Sequence, residues 1–195
     1  MKMKLVFATH NPNKLVEIQA LMPMGIELVS LNDLNYKEDI AETGNTLREN
    51  ALIKARFIYE KFGMNCFADD SGLEVEALDG APGVYSARYA GIDQIAGNNI
   101  KKLLEEMQDK SNRLASFKTV IALVLNDQDH FFEGAIEGEI TYSPMGTSGF
   151  GYDPIFKPLG FEHTFAQMSA TEKNAISHRA RAVNKLVDFL KQNKG

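Results

Sequence analysis

Cysteine occurs once in the 195 residues, as Cys66. One thiol excludes an internal disulfide and any zinc site built on thiolates, and a reducing compartment is its simplest setting. Long apolar runs are missing as well. The longest strictly apolar stretch, Val120–Leu125, falls far short of the roughly 20 residues that a membrane-spanning helix needs. Met1-Lys2-Met3-Lys4 leads into only Leu5–Ala8 before the polar Asn11-Pro12-Asn13-Lys14, so it reads as no signal peptide. A cytoplasmic protein without membrane contact is expected. Basic charge is in deficit too: 21 Lys+Arg stand against 26 Asp+Glu, a formal net charge of -5. Such a chain lacks the basic surface that coating a nucleic-acid polymer requires. If it binds a polyanion, it is expected to do so at a local site, with a metal to help.

Several motifs are absent. There is no GxxxxGK[ST] phosphate loop, no dinucleotide-binding glycine spacing, no HExxH and no GxSxG. No low-complexity linker and no internal repeat divides the chain. Hydrophobic residues at 44% and charged residues at 24% are near the globular average, and one domain over residues 1–195 is expected.

What is present reads as α/β. Lys4–Ala8 is a buried strand, the polar Thr9–Asn13 a loop, Lys14–Met22 a helix and Gly25–Ser30 a second strand. Thr46-Leu47-Arg48-Glu49 fits a capping box, in which a hydroxyl and a carboxylate satisfy orphan amides reciprocally. Leu47, Ala51, Ala55, Ile58 and Phe62 then form one apolar stripe, closed by Gly63 as a left-handed cap. Cys66–Ala68 is a short strand running into the polar Asp69-Asp70-Ser71-Gly72. Gly80–Gly91 reads as loop. Ile100, Leu103, Leu104 and Met107 mark a helix. Ser116–Leu125 and Phe131–Ile140 read as a hairpin with turn residues in Asn126–Asp129. Val183, Leu186, Val187 and Leu190 mark a final helix.

Four clusters can carry chemistry. The first, Thr9-His10-Asn11-Pro12-Asn13-Lys14, leads from a strand into a helix, where free amides and the dipole suit a phosphate; it is equally an ordinary turn with Asn13 as cap. In Asp69-Asp70, adjacent carboxylates repel unless a cation or donors neutralise them. Hard oxygens of this kind suit Mg2+, and Glu42 can add another; a solvated turn is the plainer alternative. In Ser148-Gly149-Phe150-Gly151-Tyr152-Asp153-Pro154, two aromatics beside a carboxylate can stack on a base and read its edge, or can be buried core. Lys173 through Ser177-His178-Arg179 is expected at the start of the last helix. Cations there oppose the dipole, so an anion nearby explains them better than helix stability does.

Taken in order, these segments make the chain resemble the inosine triphosphate pyrophosphatase family. The resemblance rests on Thr9-His10-Asn11-Pro12-Asn13-Lys14, Ala68-Asp69-Asp70-Ser71-Gly72-Leu73, the Gly80–Tyr89 segment, Gly149-Phe150-Gly151-Tyr152-Asp153-Pro154-Ile155-Phe156 and Ser177-His178-Arg179. It runs from about Lys4 to Leu190. Position 10 carries His where many family members carry Gly.

The resemblance implies an elongated, two-lobed mixed sheet flanked by helices, with the active site in the central cleft, and a homodimer. It implies Mg2+-dependent hydrolysis of ITP, dITP and XTP to the monophosphate and pyrophosphate. Thr9, His10, Asn11, Pro12, Asn13, Lys14 and Lys173 then hold the triphosphate. Glu42 and Asp70 organise Mg2+, with Asp70 also the base for the attacking water and Ser71 touching substrate. Phe150, Gly151, Tyr152, Asp153, His178 and Arg179 receive the base. A Maf-like pyrophosphatase acting on modified nucleotides shares the opening strand and phosphate loop, but Phe150–Pro154 and Ser177–Arg179 argue against it.

Overall fold

Strand β1 (Met3–Phe7) shows why the sheet has two covered faces. Side chains alternate along a strand, and from Leu5 onward both sets are buried. Leu5 and Phe7 enter one apolar cluster, and Val6 and Ala8 enter another. A strand with no solvated face belongs in the middle of a largely parallel sheet. Accordingly β1 pairs in parallel with β2 (Ile26–Ser30) and with β3 (Cys66–Val75). A computed structural model describes residues 3–193.

The remaining elements are α1 (Pro12–Leu21), α2 (Leu47–Phe62), β4 (Pro82–Gly83), α3 (Ala96–Glu106), β5 (Leu114–Leu125), β6 (Gln128–Ile140), β7 (Phe156–Pro158), α4 (Ala170–Ile176) and α5 (His178–Gln192). The seven strands form a mixed sheet in the order β2-β1-β3-β5-β6-β7, with β4 antiparallel to β3 and β7 antiparallel to β6. The β5–β6 connection follows the expected turn chemistry. Asn126 and Asp127 take φ of 51° and 67°, as a two-residue type I′ hairpin turn requires.

The chain divides into two compact units. The first comprises residues 1–70, 119–134 and 179–195. Its helices α1 and α5 supply Ile18, Val183 and Leu186 to the cluster containing Leu5 and Phe7, where Phe7 and Phe67 stack at 4.6 Å. Helix α2 supplies Ala51, Ala55 and Ile58 to the cluster of Val6 and Ala8. Thr46 caps α2 by accepting from the Glu49 amide at 3.1 Å. The Glu49 carboxylate accepts from the Asn45 amide at 2.6 Å, one residue before the expected partner. Gly63 closes the helix in the left-handed conformation, as expected. The second unit comprises residues 71–118 and 135–178. Its core gathers Leu73, Val75, Leu103, Met107, Phe117, Ile140, Phe156 and Phe165.

Three local expectations are corrected. Asp69-Asp70-Ser71-Gly72 is no loop: β3 runs through it to Val75. The Gly80–Gly91 segment contains β4 and a 3-10 turn at Ser86–Arg88. Lys173 does not precede a helix but lies in the last turn of α4, where a cation complements the dipole; only His178 and Arg179 open α5.

Candidate functional site

In the first unit, the loop between β1 and α1 is organised by its own side chains. Asn11, not Asn13, is the helix cap: its Oδ1 accepts from the amides of Asn13 at 3.0 Å and Lys14 at 3.2 Å. Thr9 Oγ1 accepts from the Asn11 amide at 3.1 Å, and Pro12, at the first helical position, has no N–H. The leading amides, expected to be available for a phosphate, are thus already engaged. What the loop offers an anion is the dipole end of α1 and the ammonium of Lys14.

Lys14 Nζ lies 3.0 Å from each Asp69 oxygen. Burial lowers the Lys14 pKa, opposed by the charge of Asp69. Asp69 also receives Arg179 Nε at 3.3 Å, and the same guanidinium donates to the Glu17 carboxylate. Burial pushes Asp69 upward, but Lys14, Arg179 and Lys54 outweigh it and hold the carboxyl well below the usual carboxylate range. Arg179 is held above its ordinary value, because Asp69 and Glu17 overcome the cost of its burial. These four residues form a charge-compensated buried network, as buried ions require.

Asp70 has a different environment, because successive side chains of a strand point to opposite faces. Its Oδ1 is 3.5 Å from Lys54 Nζ, and Lys54 donates to Glu42 Oε1 at 2.6 Å. Asp70 Oδ2 is buried and has no hydrogen-bond partner. Burial raises the Asp70 pKa, with Lys54 and Lys14 opposing and Glu42 and Asp69 adding repulsion. For Lys54, burial acts to lower the pKa, but Asp70 and Glu42 outweigh it and hold it above its ordinary value. Sequence reasoning passed over Lys54. The signal was there: Lys54 lies between Ala51 and Ala55 on the apolar stripe of α2, where a cation needs an ionic partner.

The divalent cation implied by the resemblance can be tested against these residues. Among the described residues no cluster of three His, Cys, Asp or Glu side chains could enclose a metal. A fully protein-made cage is therefore excluded as the fit. Two carboxylates, Glu42 and Asp70, with one orphaned buried oxygen on Asp70, do fit an ion such as Mg2+, which keeps several waters and takes further oxygens from phosphates.

In the second unit, Asp153 organises the glycine-rich segment. Its Oδ2 accepts from the Phe150 amide at 2.8 Å and from Lys173 Nζ at 2.6 Å. Gly149, at φ +75°, makes this possible: a Cβ there would stand 2.1 Å from Asp153 Oδ2. Lys173, expected beside a triphosphate, thus has its ammonium on Asp153 and 4.7 Å from the Phe150 ring centre. Tyr152 is buried and donates to the Ser86 carbonyl at 2.8 Å. Ser86 in turn accepts from the Leu73 amide and donates to the Gly83 carbonyl. His178, also buried, stacks on Phe117 at 4.6 Å with planes 8° apart. Gly151 takes a positive φ of 60° between the two aromatics. Ser71, expected to touch substrate, is half-buried at the next position of β3.

Fold and residues together define an α/β protein with a buried carboxylate–ammonium cluster in one unit and a cation-braced aromatic loop in the other. The family model described as Ham1 family matches residues 5–189. A dITP/XTP pyrophosphatase of Christiangramia forsetii is 57% identical over 188 residues, covering 96% of this chain and 99% of that protein. A protein of the same name from Porphyromonas gingivalis is 53% identical over 188 residues, covering 96% and 97%. The structure of a HAM1 protein from Coxiella burnetii superposes with a TM-score of 0.90 at 42% identity, covering 97% of this chain and 99% of that one. This chain belongs to the Ham1 family.

Proposed function

We propose that this chain is a nucleoside triphosphate pyrophosphatase that hydrolyses noncanonical purine nucleotides, dITP, ITP and XTP, to the monophosphate and pyrophosphate, with Mg2+. The observation that carries the reading is the orphaned Asp70 Oδ2, buried beside the Lys54–Glu42 pair. A buried carboxylate oxygen without a donor is costly and suits a proton or cation that arrives with substrate. The similarity to proteins named dITP/XTP pyrophosphatase supports the substrate class. In this reading residues 1–195 act as one pyrophosphatase domain.

Glu42 and Asp70 would hold the metal, which when bound would supply charge neutralisation and a lowered pKa for water. Asp70 Oδ2 orients the attacking water and takes its proton. The raised pKa of Asp70 matches that role, since a base works best when its pKa approaches the working pH. Thr9, His10, Asn11, Pro12, Asn13 and Lys14 line the triphosphate, with Lys14 and Lys54 balancing its charge. Attack at the α-phosphorus breaks the α–β anhydride and releases pyrophosphate.

Phe150 and Gly151 through Asp153 take the base, with His178 and Arg179 meeting its edge and Ser71 touching the nucleotide. Lys173, braced by Asp153, fixes the shape of the base loop. A 6-keto purine presents an acceptor where adenine presents a donor. Arg179 donates only, so adenine leaves donor facing donor, a mismatch worth several kcal/mol when buried (about 10⁴-fold or more).

Among the described residues no helix is long and apolar enough to cross a membrane. A cytoplasmic homodimer is proposed on the resemblance and on the buried thiol of Cys66; light scattering tests the dimer. The deciding experiment is a nucleotide panel with and without Mg2+, resolved for products. Pyrophosphate and monophosphate from dITP or XTP, with ATP poorly used, are expected. Orthophosphate release, or turnover of ATP equal to that of dITP, overturns the reading.

A further inference from the structure

His10 has a set of contacts that the triphosphate role leaves unexplained. Its Nε2 donates to the Glu38 carbonyl at 2.9 Å, across 28 positions of sequence. Its ring stacks on Tyr36, centroids 5.9 Å apart and planes 19° from parallel. Tyr36 is a prepared platform. It is buried, packed by Phe57 and Phe62 from α2, with Lys61 Nζ 4.7 Å from its ring centre. The imidazole itself is exposed, so general hydrophobic burial does not account for its placement.

The contact matters because of what it fastens. Residues 37–41 form no helix or strand, and among the described residues His10 makes the one hydrogen bond to them. Glu42 follows immediately, and its carboxylate accepts from Lys54 at 2.6 Å. Glu38 thus ties the Glu42 segment to the loop that begins at Thr9.

We propose that His10 is a positioning residue: a latch that holds the Glu42-bearing segment against the phosphate loop, so that Glu42 stands ready for the divalent cation. The latch itself is read from the free protein; its effect on the metal rests on the function proposed above. Beside its place along the triphosphate, His10 here acts through the segment that it fastens. It acts by removing conformational freedom from residues 37–41, whose ordering otherwise opposes cation binding.

The test uses the full chain and three variants. His10→Ala removes both contacts, His10→Phe keeps the stack without the donor, and His10→Gln restores a donor without the stack. The first readout is tryptic cleavage after Lys37, which is exposed within the latched segment, measured without metal or nucleotide. The second is the Mg2+ concentration for half-maximal dITP hydrolysis. Cleavage after Lys37 is expected to accelerate in the Ala and Phe variants. Half-saturating Mg2+ is expected to rise about three- to ten-fold, the worth of one hydrogen bond. The Gln variant should recover part of both. Unchanged cleavage in Ala and Phe overturns the latch. Faster cleavage with unchanged Mg2+ dependence overturns the positioning of Glu42. Absence of dITP hydrolysis by the wild-type chain overturns the proposed function while the cleavage readout still decides the latch.

Discussion

Asp69 and Asp70 are consecutive in β3, yet Asp69 sits on Lys14 and Arg179, whereas Asp70 has Lys54 3.5 Å from one oxygen and no hydrogen-bond partner on the other. The alternation of a strand separates their roles. Asp69 is an anion fully engaged by two cations, and Asp70 is one only partly compensated by Lys54.

Asp70→Asn is therefore expected to divide activity from stability. Turnover of dITP should fall by about 10²–10⁴, the range for acid–base groups. In EDTA the melting temperature should rise by a few degrees, since a buried carboxylate disfavoured in its charged form is replaced by a neutral amide. Calorimetry beside a pyrophosphate assay checks both. Near-normal turnover removes Asp70 from the base role.

Asp69→Asn should behave in the opposite way. It leaves Lys14 and Arg179 facing a neutral group inside the protein, and breaking one side of a buried ion network costs about 3–5 kcal/mol. Urea unfolding should show that loss with an unchanged slope. A change below about 1 kcal/mol places the network in effective contact with solvent.

Gly149→Ala tests the aromatic loop. A methyl group would meet Asp153 Oδ2, and φ of +75° is itself unfavourable for alanine. Asp153 must then withdraw from the Phe150 amide and Lys173. The KM for dITP should rise by about ten-fold, consistent with roughly 1.4 kcal/mol of lost preorganisation, while kcat falls less. An unchanged KM means that this loop does not receive the nucleotide.

Cys66 supplies a pH test. Burial pushes its thiol far up, and a hydrogen bond only partly offsets this. A raised thiol pKa contributes stability that is complete below the unfolded value of about 8.5 and is lost as pH rises above it towards the folded value. Iodoacetamide should accordingly label the native chain slowly at pH 7–9.5, with full labelling only in denaturant. Rapid native labelling at pH 8 contradicts the buried, protonated thiol.

Much of this molecule was legible without coordinates because its determinants are local. The β1 strand, the Thr46 and Gly63 ends of α2, and the Asn126-Asp127 turn depend on periodicity, a hydroxyl or a tolerated positive φ within a few residues. The chemistry-bearing segments were visible for the same reason: each is a short run of unusual composition. Only the tertiary structure decided which ions meet. Arg179 reaches Asp69 across 110 positions and Lys14 reaches it across 55. Lys54, unremarked in the sequence, gains its meaning only where it meets Glu42 and Asp70. The path of β3 through Asp69 and Asp70 belongs to the same class, because strand pairing overrides the loop preference of Asp, Ser and Gly. A buried charge selects its partner by distance in space under a desolvation penalty, and chain separation carries no record of that distance.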